Sequence, residues 1–99
     1  MKKQRISSAP DRFNSFGICE LRNEDPDRNR RRYYCIDLQQ GLFELILLRQ
    51  WGRIGCRPRE MRQYFESVDD AVVEANRLYR QKNRRGYRET NQEGFLRPS

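Results

Sequence analysis

The chain is predicted to be an α+β domain: a small antiparallel β-sheet of about four strands with one α-helix packed on one face. Two observations carry that prediction. Apolar residues alternate at period two in short runs up to residue 65, bounded by clusters of Asn, Asp, Gly and Pro. After residue 67 the period changes to that of a single helix. With 99 residues there is room for one domain, and with 35% of them hydrophobic and 35% charged its core must be small.

Residues 1–14 are polar and basic, with Ser7, Ser8 and Pro10, and read as a flexible arm ahead of a domain spanning 15–87. Residues 16–21, with Phe16, Ile18 and Cys19, suit a first, edge strand. The Asn, Asp and Pro of residues 23–27 then make a turn. Residues 33–38 are β-prone, with Tyr34, Ile36 and Leu38 on one face, and Gln39-Gln40-Gly41 forms a short hairpin connection. Residues 42–51 carry the strongest strand pattern. Phe43, Leu45, Leu47, Arg49 and Trp51 fall on one side; Leu42, Glu44, Ile46, Leu48 and Gln50 fall on the other. Both sides are apolar in the middle, which predicts a central strand covered in part on each face. Residues 52–58 turn, and residues 60–65 return as a fourth strand.

Ser67 is placed to cap a helix, with Asp69 and Asp70 complementing its dipole. Ala71, Val72, Ala75, Leu78 and Tyr79 then form one apolar stripe. Lys82, Arg84 and Arg85 crowd the last turn, Gly86 suits the C′ position, and Tyr87 is expected to close the helix onto the sheet. Residues 88–99 read as a polar tail.

The net charge of +7 is unevenly distributed. Arg28, Arg30, Arg31 and Arg32 form one cluster; residues 49–62 carry a net of +4, and residues 77–88 a net of +6 with no acid. Arginine outnumbers lysine heavily, and the planar guanidinium is the better phosphate clamp. The composition therefore favours a phosphate-bearing polymer as partner over a merely solubilising coat. Histidine is absent and the three cysteines have no C-x-x-C spacing, which argues against a zinc site. Cys19, Cys35 and Cys56 read as small apolar core residues in a reducing compartment. No apolar run approaches the ~20 residues of a membrane span, nor is there a signal-peptide hydrophobic region, so a cytoplasmic location is expected. Nothing resembles a catalytic constellation, and Asp37 and Glu44 read as solvent-facing or edge charges. No enzyme activity, cofactor, metal or small-molecule substrate is expected.

Trp51-Gly52-Arg53 holds the sole tryptophan, between Arg49 and Arg53. An aromatic plate flanked by guanidiniums suits stacking on a sugar or base while the charges hold phosphates. Period two puts Arg49 and Trp51 on the same side of the sheet. The competing reading makes Trp51 a core residue that ends a strand.

The segment Arg49-Gln50-Trp51-Gly52-Arg53-Ile54-Gly55 resembles the WGR domain family. The likeness extends to Tyr33-Tyr34 opening a strand, Phe65-Glu66-Ser67 before the helix, Ala71, Leu78 and Tyr79 within it, and Gly86-Tyr87 closing it. The family occurs in poly(ADP-ribose) polymerases and in bacterial proteins, some of them standalone. The resemblance implies an antiparallel sheet with one helix, and binding of the exposed end of a DNA strand break. It implies that Trp51 packs on the sugar of the terminal nucleotide and that Arg53 lies at the DNA and at a contact with neighbouring protein. The stretch Arg30-Arg31-Arg32 falls where the family places a polar residue near a terminal phosphate. These 99 residues carry no transferase fold, so the expectation is a non-enzymatic nucleic-acid-binding module. Its expected surface is Trp51, Gly52, Arg53 and Arg49, widened by Arg30, Arg31, Arg84 and Arg85, with DNA as partner and a nucleoid association. The alternative is a protein-interaction module that docks a separately encoded partner through the same surface, anchored by Arg53.

Overall fold

The computed structural model describes residues 11–90. Alternation and turn chemistry build five strands: β1 (Gly17–Asp25), β2 (Arg30–Gln40), β3 (Leu45–Arg53), β4 (Arg59–Phe65) and β5 (Arg88–Glu89). One helix, α1 (Val68–Arg84), lies between β4 and β5 in the chain. All pairings are antiparallel and the sheet order is β4-β3-β2-β1-β5. The expected α+β architecture is thus present, with a fifth strand added.

The helix covers one face of the sheet. Its buried Ala71, Ala75 and Leu78 meet Cys19 and Leu21 of β1, Tyr34, Ile36 and Leu38 of β2, and Leu47 of β3. Register aligns these rows, with Leu38 opposite Leu47 and Tyr34 opposite Trp51. Ser67 caps α1 as expected, its hydroxyl accepting from the Asp70 N–H. The helix ends in a Schellman motif: Tyr87 N–H donates to the Lys82 carbonyl and Gly86 N–H to that of Asn83. Gly86 has φ 98°, which an L side chain rarely adopts, so the glycine sets where Tyr87 emerges.

Several boundaries differ from the sequence reading. The Asn-Asp-Pro stretch does not turn until Pro26; β1 runs to Asp25 because β2 extends back to Arg30 and pairs with it. A 3-10 turn, Pro26–Arg28, and Asn29 at φ 54° then reverse the chain. β1 is not an edge along its whole length, since Leu21 and Arg22 pair with Glu89 and Arg88, in the segment read as tail. β3 starts at Leu45 and continues through Trp51-Gly52-Arg53. Leu42 and Phe43 instead project from the hairpin tip, 87% and 92% exposed, in a loop closed by the Gly41 N–H to the Glu44 carbonyl. The turn after β3 is centred on Gly55 (φ 91°), with the Cys56 N–H donating to Arg53 O at 3.0 Å. Ile46 and Leu48, on the face away from α1, are half-buried rather than covered.

The expected arm is anchored at its end. Phe13 is buried, and its peptide N–H and C=O both bond the Asn76 side chain, at 2.7 and 2.8 Å. Residues 1–10 of that arm, with Lys2, Lys3 and Arg5, and residues 91–99 of the tail lie outside the described residues. Of the three cysteines, all free thiols, only Cys19 is a core residue. Cys35 is half-buried on the opposite face, and Cys56 is exposed because the Gly55 turn lifts it off the sheet. Among the described residues no helix is long and apolar enough to cross a membrane.

Candidate nucleic-acid interface

Trp51 sits two residues before the end of β3, on the helix side of the sheet and beyond the helix C-terminus. It is half-buried: it packs on the core and also lines an open cleft. Tyr34, its neighbour on β2, stacks with it at 6.0 Å between ring centroids and 26° between planes. Tyr87 meets Tyr34 edge-on at 6.3 Å. The Schellman turn holds Tyr87 there, and the Asn23 side chain steadies that turn by donating to the Arg85 carbonyl at 3.1 Å.

The cleft, of about 330 Å³, is floored by Tyr34, Trp51 and Tyr87 and ringed by Arg30, Arg32, Lys82 and Arg85. No carboxylate lines it among the described residues. Lys82 Nζ stands 4.4 Å from the Tyr34 ring centroid and 5.6 Å from that of Tyr87. Burial against these rings holds its ammonium below the ordinary lysine pKa, and Arg85 and Arg49 push the same way. Burial likewise raises the Tyr34 phenol, against the opposing pull of Arg49.

Arg32 lies directly opposite Arg53 in the β2–β3 ladder. Facing like charges on adjacent strands are destabilising by roughly 0.2–1 kcal/mol. The Arg53 guanidinium donates a long hydrogen bond, 3.5 Å, to the Asn29 carbonyl. Asp25, on this face opposite Arg30, is engaged by Arg28 at 3.7 Å and by the Asp27 N–H.

The expected site residues separate. Trp51, Arg30 and Arg85 line the cleft, and Arg53 extends it along β3. Arg49 is on the same face, as period two required, but its guanidinium lies between Tyr34 of β2 and Met61 of β4 and does not line the cleft. Nη1 reaches the Tyr34 hydroxyl at 3.4 Å, and Nε is buried without a partner. Arg31 faces the other side of the sheet, opposite Glu24. Gly52 also presents its Cα to that side, where an added Cβ would stand 3.7 Å from Tyr33. Arg84 follows Lys82 by two residues, a turn of about 200° around the helix, and points to solvent. The expected surface did not include Arg32 and Lys82, though both stand in the basic clusters, nor Asn23. Parity could have found the first, since Arg32 shares a face with Tyr34 and Arg31 does not. Helical spacing could have found Lys82, four residues after Leu78.

The WGR domain family model matches residues 18–94. An uncharacterized protein of Sinorhizobium fredii is 46% identical over 65 residues, covering 65% of this chain and 32% of that protein. The chain thus spans about a third of the length of this curated relative. No solved structure gives a significant match.

Proposed function

The chain belongs to the WGR domain family, which is associated with nucleic-acid binding, and from that premise we propose that it binds DNA at strand ends or breaks. It does so as a non-enzymatic module, through the cleft beyond the helix C-terminus. The observation that supports this most is the uncompensated charge: Arg32 against Arg53, with Arg30 and Arg85 beside them and no lining carboxylate. Such an arrangement costs stability in the free protein and is relieved by a polyanion. The Trp51–Tyr34 stack supplies an aromatic platform for a sugar or an exposed base at the centre of that charge.

A competition titration that follows Trp51 fluorescence tests the reading. Blunt-ended and nicked duplexes are expected to displace a bound oligonucleotide more effectively than covalently closed circles or matched RNA. Closed circles that compete equally would remove end recognition, and the absence of any binding would remove the nucleic-acid reading. Docking of a separately encoded protein is the second reading, supported by the exposure of Arg53 at the strand end. A complex that survives nuclease treatment and is lost in Arg53→Ala would favour it.

A further inference from the structure

Lys82 is the one lysine among the described residues, where every other basic side chain is an arginine. A guanidinium keeps its proton at any physiological pH, whereas an amine can shed it and act as a nucleophile. This amine stands at the side of the cleft, over the ring that stacks on Trp51. It forms no ion pair with any described residue, and its flanking charges, Arg85 and Arg49, are cations. Burial between Tyr34 and Tyr87 further favours the neutral form.

Resting on the nucleic-acid reading above, we propose that Lys82 captures the aldehyde of an abasic deoxyribose as an imine, so that the cleft holds damaged DNA covalently. A sugar lying on Trp51 is adjacent to Tyr34 and therefore to Nζ. The neutral amine adds to C1′ of the ring-opened sugar, the C–N bond forms, and the carbonyl oxygen departs as water. Hydrolysis reverses the step and returns amine and aldehyde. Onward strand cleavage needs a group to accept the C2′ proton, and the cleft's described residues include no carboxylate for it. Reversible capture without efficient scission is therefore the expected outcome.

The test uses the full chain with two matched duplexes, one intact and one carrying a single abasic site, each incubated with sodium cyanoborohydride, which reduces an imine to a stable secondary amine. Non-covalent binding of both duplexes is measured in parallel. The expected result is a covalent adduct with the abasic duplex alone, mapped by peptide mass spectrometry to Lys82. In Lys82→Arg the trapped fraction per bound complex is lost. Binding of the abasic duplex without an adduct overturns the capture step and leaves the nucleic-acid reading standing. An adduct on Met1, Lys2 or Lys3 also overturns it. Failure to bind either duplex overturns both readings.

Discussion

Trp51 serves the core and the cleft at once, which is why its role could not be settled by its type. Its partner Tyr34 supplies the buried half of the stack, so the indole can be removed without emptying the centre of the core. Trp51→Ala is expected to weaken nucleic-acid binding by about tenfold or more, from the 1–3 kcal/mol typical of a stacked base. The variant should retain its far-UV circular dichroism, and a collapse of that signal would assign Trp51 to the core alone. A second residue-scale expectation concerns the thiols. Cys19 is fully buried, and desolvation pushes its pKa from 9.0 to about 12; the same cause raises Cys35 to about 12. Above pH 9 the unfolded chain sheds these protons while the folded protein keeps them. Stability should therefore fall as pH climbs from 9 toward 12, at up to about 1.4 kcal/mol per pH unit for the fully buried Cys19 and by less for the half-buried Cys35, where solvent screens the effect. Urea midpoints across that window check the slope, which should become shallower in Cys19→Ala.

Among the elements, the strands that bury one face were legible and the devices at their ends were not. Period two placed Leu45, Leu47, Arg49 and Trp51 together on one side, which proves to be the helix side, because a pleat keeps alternate residues on one face. It could not say where Arg49 would aim its long side chain, nor that Leu42 and Phe43 would leave the strand at the hairpin tip. β1 outran its apparent turn because pairing with Arg30, Arg31 and Arg32 outweighs local composition. The cleft itself depends on the register that sets Tyr34 against Trp51 and on the helix ending above them, neither of which is a local property. Phe13 was hidden for the same reason, since its partner Asn76 is 63 residues away. That pairing has a measurable weight. Asn76→Ala leaves the buried Phe13 N–H and C=O without their partners, at a cost of about 1–3 kcal/mol for each such group. Thermal unfolding should reveal a loss of about 2 kcal/mol or more by that reckoning, and a smaller loss would mean that water reaches the Phe13 peptide.

Across the whole molecule, charge and fold are arranged along one axis. Residues 36–48 and 63–76 contain no lysine or arginine and carry Asp37, Glu44, Glu66, Asp69, Asp70 and Glu74. They supply the hairpin tip, the end of β4 and the first half of α1, all at the end of the sheet away from Trp51. The helix then runs the length of the sheet and delivers Lys82 and Arg85 to the opposite end, beside Arg30, Arg32 and Arg53. An acidic end and a basic end on one small domain orient it in the field of a polyanion and steer the cleft toward the phosphates. If Arg30, Arg32, Arg53 and Arg85 each meet a phosphate, counterion release predicts a slope of about −3 to −4 in log K against log salt for duplex DNA. Arg32→Gln should make that slope shallower by about one. The same substitution removes the like-charge pair with Arg53, so the free protein should gain about 0.2–1 kcal/mol of stability even as it loses affinity. Titrations at several salt concentrations and a urea melt of the variant measure both quantities. An unchanged slope with unchanged stability would mean that the Arg32–Arg53 juxtaposition neither strains the sheet nor meets the ligand.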